Sequence, residues 1–165
     1  MNDSGPVTGA SFRAACGRFA TGVAIVTTTD RSGGKWGLTI NSFSSVSLDP
    51  PLILFSIENN ASSLAAFTTA ADMAVNILST EQKALSERFS MVRDQDRFDG
   101  VPLENSSGAP VLSDCLCVLE CRPEAKVPGG DHTIFVARVV ATHLNPSDGL
   151  APLLYYRGGY AGLNT

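Results

Sequence analysis

Charge is what this chain has little of. Asp, Glu, Lys and Arg make up 17% of its 165 residues, where a soluble domain ordinarily carries about a quarter. Basic residues are the scarcer sign, 12 against 16 acidic, for a net charge of −4. Binding a phosphate backbone takes a surplus of Lys and Arg on one face, so no nucleic-acid partner is expected. No uncharged apolar run approaches the roughly 18 residues of a membrane span. Met1 to Gly9 has neither a basic start nor an apolar stretch, so no signal peptide is expected and a cytoplasmic protein follows.

Familiar site spacings are missing as well. Gly158-Gly159-Tyr160-Ala161-Gly162 is the nearest approach to a dinucleotide fingerprint, but its spacing is wrong and no helix follows. Gly33-Gly34-Lys35 is followed by Trp36 where a phosphate loop needs Ser or Thr. No G-x-S-x-G elbow occurs, and His132 and His143 are too few for a familiar zinc site. Asp94, Asp96 and Asp99 miss the calcium-loop spacing by one residue. Cys16, Cys115, Cys117 and Cys121 contain no C-x-x-C pair and lack a nearby fourth ligand. They read as reduced, buried small hydrophobes, and no metal is expected. On one strand, Cys115, Cys117 and Cys121 would share a face with Leu119.

What is there is a hydroxyl-rich ribbon, "KWGLTINSFSSVSLDPPLILFSIE", from Lys35 to Glu58. Between its two ends the only charge is Asp49. If Trp36 to Val46 is one strand, Thr39, Asn41, Phe43 and Ser45 lie on one side. Their neutral donors and acceptors suit either solvent or the edge of a heteroaromatic ring or polyol.

The surrounding pattern is that of one β-rich domain spanning 1–165, with its core at about 12–160. A helix is expected over Ser11–Thr21, capped by Ser11 and stopped at Gly22. Val23–Thr29 and Trp36–Val46 read as a hairpin around Asp30–Gly34. Leu52–Ile57 is a third strand, followed by a short helix from Ser62 or Ser63 to Phe67. Met73–Leu78 is a strand, and Ser79 with Gln82 forms a capping box that opens a helix through Phe89. Met91–Pro110 reads as a loop. Val111–Ala125, Thr133–Leu144 and Pro152–Tyr156 complete the strands. Many strands, tight turns and three short helices point to a barrel.

Several short segments carry candidate chemistry. Ser62 and Ser63 at a helix start form either an anion site or an ordinary cap. Arg88, late in its helix, could offer a phosphate a positive charge. Pro128-Gly129-Gly130-Asp131-His132 sets a histidine at a strand start, by a turn or for a ligand. Tyr155, Tyr156, Arg157 and Tyr160 suit ring stacking and phosphate pairing, or a dimer contact.

Taken in order, the blocks "FRAACGRFATGVAIVTT", "GLTINSFSSVSLDPPLILFS", "DRFDGVPLENSSGAPVL", "GGDHTIFVARV" and "PLLYYRGGY" resemble the short-chain flavin reductase family. Its members are reductase components of two-component flavin-dependent monooxygenases. The resemblance implies a mainly β, Greek-key split barrel with a few short helices, the FMN-binding split barrel. It implies a homodimer that binds FMN or FAD and takes hydride from NADH or NADPH. Thr39, Asn41 and Ser42 would meet the flavin ring and ribityl chain, with Ser45 and Val46 close by. Ser56, Ser62 and Ser63 would lie toward the phosphate end, and Arg88 and Phe89 near the phosphate. His132 is the implied catalytic contact to the nicotinamide, with Tyr156, Arg157 and Tyr160 approaching the same pocket. Reduced flavin would then diffuse to a separate monooxygenase. Two other functions fit the same fold. One is a flavin-binding electron-transfer or storage protein without NAD(P)H activity. The other is a split-barrel oxidase that retains its flavin.

Overall fold

The computed structural model describes residues 5–91, 95–106, 108–147 and 149–163. The chain runs α1 (Gly9–Cys16), β1 (Thr21–Gly22), β2 (Ala24–Thr29), β3 (Lys35–Ile40), β4 (Ser44–Leu48), β5 (Pro51–Glu58), α2 (Leu64–Thr69) and β6 (Met73–Ile77). A 3₁₀ turn (Thr80–Gln82) leads into α3 (Lys83–Met91), and a second spans Gln95–Phe98. Then come β7 (Leu103–Glu104), β8 (Val111–Leu112), β9 (Cys117–Gly129), β10 (His132–Leu144), β11 (Leu154–Tyr156) and β12 (Gly159–Ala161).

The main sheet has seven strands in the order β3-β2-β6-β9-β10-β5-β4, antiparallel throughout. Its two edge strands, β3 and β4, are consecutive in the chain and separated only by residues 41–43. Three residues cannot cross a flat sheet of that width, so the sheet must roll until its edges meet. Ser42 marks the seam. Its hydroxyl donates to the Ser56 carbonyl at 3.2 Å and accepts the Ser56 N–H at 3.0 Å. The result is a barrel that is open along the seam between β3 and β5, the expected split barrel.

Two apolar cores follow from this closure. Inside the barrel, Phe55 stacks on Phe135 at 5.4 Å between centroids, and Phe67 meets both edge-on at 6.2 Å. Val26, Ile57, Met73, Val75 and Cys121 pack around them. Outside the barrel wall, Ile25, Ala74, Leu78, Phe89, Leu112 and Val118 form the second core. β2 and β6 therefore bury both faces, which is why they read as apolar runs without alternation. A buried polar knot ties the second core together. The Asn76 amide donates to the Ile25 carbonyl and accepts the Leu112 N–H, each at 2.9 Å.

The turn between β2 and β3 is built on Asp30, as its sequence suggests. The carboxylate accepts bonds from the Ser32 hydroxyl and N–H, the Gly34 N–H and the Trp36 indole. These donors, the Ser32 hydroxyl foremost, favour the charged form and hold the group well below the ordinary carboxylate range.

Four local expectations change. The first helix is Gly9–Cys16 rather than Ser11–Thr21. Thr8 is its N-cap, because Ser11 occupies the third helical position and the two residues exchange capping bonds. The ribbon is not one strand over Trp36–Val46. It breaks at Asn41–Phe43, where the chain passes from one edge of the sheet to the other. The strand expected over Val111–Ala125 divides into β8 and β9, because Asp114 adopts φ 59°. Cys115 therefore joins the second core while Cys121 joins the first, and the thiols do not share one face. Finally, β12 was not expected. It pairs with β11 across Arg157-Gly158, both at positive φ (52° and 80°), the dihedral signature of a type I′ hairpin turn. Within the loop expected over 91–110, residues 92–94, including Asp94, and residue 107 lie outside the described residues.

Candidate active site in the barrel seam

A cleft of about 810 Å³ opens where the barrel is split. One wall is the end of β3 and the bend after it, with Thr39, Asn41 and Ser42. The opposite wall is β5 and the loop leaving it, with Ser56, Glu58, Asn60, Ser62 and Ser63. Phe89, Ser90 and Met91 from α3 close one end, and Arg97 and His132 complete the lining.

The hydroxyls of the ribbon are not equally available. Thr39 donates its hydroxyl to the Ser86 carbonyl at 2.6 Å, and Ser42 uses its own on Ser56. Both residues line the cleft while their hydroxyls hold its walls. Asn41 is exposed at the bend, the one ribbon residue here whose amide bonds no protein group. α2 is a single six-residue helix, and Ser63 makes no side-chain cap bond. The expected helix-start anion site therefore has little helix behind it.

The cation in the cleft is Arg97, which the sequence reading passed over although the block "DRFDG" contains it. Its Nη1 donates to the Gly37 carbonyl at 2.6 Å. Gly37 is forced by packing: a Cβ there would stand 2.8 Å from the Phe89 ring. Phe89 is fully buried and meets Phe98 edge-on at 5.0 Å, so it forms the floor of the cleft. Arg88 turns elsewhere, its Nη2 donating to the Asp99 carbonyl at 2.7 Å.

His132 begins β10 directly opposite Glu58 of β5. Gly130, at φ 70°, makes the tight turn that delivers it. Its Nδ1 lies 2.7 Å from the Asp131 carboxylate. That bond holds Asp131 below its ordinary range, so the carboxylate is charged at neutral pH and accepts. Nδ1–H is then the donor, which leaves Nε2 for a ligand.

A second cleft, of about 410 Å³, lies across the bend and shares Thr39, Ile40, Asn41, Ser90 and Met91 with the first. Glu87, Tyr155, Gly158, Gly159 and Tyr160 line its far side. Tyr160 is fixed there, its hydroxyl 2.8 Å from that of the buried Ser86. The structure thus gathers Thr39, Asn41, Ser42, Ser56, Ser62, Ser63, Phe89 and His132 around the first cleft, and sets Tyr160 in the second. Ser45, Val46, Arg88, Tyr156 and Arg157 line neither. Ser45 and Val46 are exposed on the edge strand β4. Arg157 packs over the Tyr156 ring at 5.1 Å, and its N–H donates to the Gly17 carbonyl behind α1.

The thiols take no part. Burial pushes Cys115 up to about 11 and Cys121 up to about 12, which suppresses their thiolates. Among the described residues no cluster of three or more His, Cys, Asp or Glu could hold a metal, and no helix is long and apolar enough to cross a membrane.

Residues 16–164 match the flavin reductase like domain. The chain belongs to the flavin reductase-like family. It is 42% identical to the FMN reductase (NADH) SmoA of Agrobacterium fabrum over 151 residues, which is 91% of this chain and 83% of that protein. It is 39% identical to HsaB, the reductase subunit of a flavin-dependent monooxygenase from Rhodococcus jostii, over 92% of this chain and 76% of the relative. Among solved structures, the NADH:FAD oxidoreductase SgcE6 of Streptomyces globisporus, in complex with NAD and FAD fragments, superposes with a TM-score of 0.84. That match has 32% identity and covers 92% of this chain and 90% of the other.

Proposed function

We propose that this flavin reductase-like protein oxidises NADH or NADPH and reduces FMN or FAD, which then leaves for a separate monooxygenase. The observation that carries the reading is the seam cleft. It pairs neutral polar walls with one cation, Arg97, and one histidine, His132. Those groups fit a flavin: an uncharged ring edge for Asn41 and the seam backbone, a hydroxylated chain for Ser56 and Ser62, and an anionic end for Arg97. Flavin supplies the hydride-accepting chemistry when bound, taking hydride at N5 from C4 of the nicotinamide.

The protein's share is orientation and electrostatics. The Thr39 bond to α3 and the Ser42 bond to β5 hold both walls of the seam at a fixed separation. Asp131 fixes the His132 tautomer, so Nε2 can accept from the nicotinamide carboxamide. Few charges line the cleft, and moderate affinity suits a flavin that must depart.

We also infer a homodimer. The register puts Leu54 opposite Val136 and Ser56 opposite Ile134, with Ala125 and Val127 alongside on β9. These residues face away from the barrel core and continue to the exposed Val46 and Leu48 of β4. Ser56 belongs to the same outward row and lines the cleft, so a second copy on this face would come within reach of the site. With four free thiols the working compartment is assigned as the reducing cytoplasm.

The test is consumption of NADH and NADPH by purified protein with FMN, with FAD and with no added flavin. Oxidation that depends on added flavin is expected. A protein that binds flavin but oxidises neither dinucleotide would be a carrier, and the reading fails. His132→Ala should raise the NADH KM about tenfold, on the order of one lost hydrogen bond to a polar group, and leave the FMN Kd nearly unchanged. Equal kinetics would remove His132 from the site.

A further inference from the structure

The two clefts differ in sign. The seam cleft holds Arg97, whereas neither Lys nor Arg is among the described residues lining the second cleft. Its one ionised side chain is Glu87, half-buried on α3. The rest of the far side is two tyrosines and the backbone of Gly158 and Gly159, which suits a flat ring and its sugar. The clefts are continuous through Thr39, Asn41, Ser90 and Met91. A molecule reacting in the first can therefore lay its far end in the second.

We propose that the second cleft seats the adenosine end of the nicotinamide donor, and that Glu87 makes NADH the preferred donor over NADPH. The inference rests on the reductase reading above. A carboxylate beside an adenosine ribose accepts hydrogen bonds from its free hydroxyls and repels a 2′-phosphate, the logic by which acidic residues select NADH elsewhere. Flavin is the weaker candidate for this cleft. With its anionic end toward Arg97, the ADP half of a dinucleotide flavin would leave the seam on the side away from Glu87.

Lys83 sharpens the argument. Its ammonium lies 5.7 Å from the Tyr160 ring centroid and 3.7 Å from the Glu87 carboxylate. While Glu87 is present, that positive charge is offset. Without it, Lys83 is left beside the cleft to attract a phosphate. Neutralising Glu87 should therefore do more than relax the preference; it should favour NADPH.

The experiment compares wild type with Glu87→Gln and with the conservative Glu87→Asp. NAD⁺ and NADP⁺ dissociation constants are measured calorimetrically on flavin-free protein, alongside kcat/KM for NADH and NADPH with FMN as acceptor. FMN and FAD affinities are the control. Wild type should favour the nicotinamide dinucleotide without the 2′-phosphate. Glu87→Gln should shift the NADP⁺-to-NAD⁺ affinity ratio about tenfold or more toward NADP⁺, as removal of a nearby like charge predicts. Glu87→Asp should keep the wild-type order, and FMN and FAD affinities should not move.

An unchanged ratio in Glu87→Gln, in a protein that still reduces flavin, overturns this assignment alone. A change in FAD affinity relative to FMN, with the dinucleotide ratio fixed, puts the flavin's adenosine in the second cleft and also overturns it. Failure of wild type to oxidise either donor with any flavin overturns it together with the function on which it rests.

Discussion

The two clefts on either side of the Asn41 bend are supported in different ways. The seam cleft stands on barrel strands whose inner faces meet in the Phe55, Phe67 and Phe135 cluster. The second cleft is held by hydrogen bonds. The Thr39 hydroxyl donates to the Ser86 carbonyl, and the Ser86 hydroxyl meets that of Tyr160. One wall therefore depends on packing that tolerates no loss of volume, and the other on a few polar contacts. The difference teaches where specificity can change cheaply. Donor choice can be altered on α3 and β12 without disturbing the barrel, whereas the flavin side cannot be moved without moving the core.

The sharpest break in this comparison comes from the barrel core. Phe135 is 1% exposed and stacked on Phe55 beneath β5 and β10. Phe135→Ala should cost about 3–5 kcal/mol of stability, the sum of lost burial and the cavity left behind. Chemical denaturation would read it as a fall in midpoint. A loss below about 1 kcal/mol would mean that the aromatic cluster does not carry the seam.

An intermediate effect is expected at Asn76, in the layer between the two clefts' supports. Its side chain is fully buried and serves the Ile25 carbonyl and the Leu112 N–H. Asn76→Ala should cost about 1–3 kcal/mol, because Leu112 would keep a buried donor without a partner. Faster amide exchange at Leu112, measured by NMR, would locate the damage. Protection equal to wild type would show that another group satisfies it.

How much of this was legible beforehand follows from the range of the interactions. The β-rich barrel could be read because β-branched runs and turn residues are local signals. Asp30 and the Ser79–Gln82 box behave as their spacing suggests, since each closes its bonds within a few residues. The break at Asn41–Phe43 was not legible. It depends on β3 and β4 lying at opposite edges of a rolled sheet, a long-range fact that no window over the ribbon contains. Arg97 was missed for a similar reason. Its place in the cleft depends on the Gly37 carbonyl, 60 residues away in sequence. Arg157 misled because a positively charged residue beside tyrosines suggests a ligand, whereas here it fills a left-handed turn position and packs on Tyr156.

The smallest effect sharpens the comparison most. Tyr160→Phe removes one hydroxyl and leaves the ring edge-on to Tyr155, 5.6 Å away between centroids. The buried Ser86 hydroxyl loses its side-chain partner, so the cost in stability should be about 0.5–1.5 kcal/mol. If the second cleft serves only the donor, the NADH KM should rise severalfold while the FMN dissociation constant stays within about twofold, less than half a kcal/mol. A matching loss of FMN affinity would mean that the Thr39–Ser86–Tyr160 chain transmits strain to the seam. The two clefts would then be one mechanical unit, and donor specificity could not evolve separately from flavin binding.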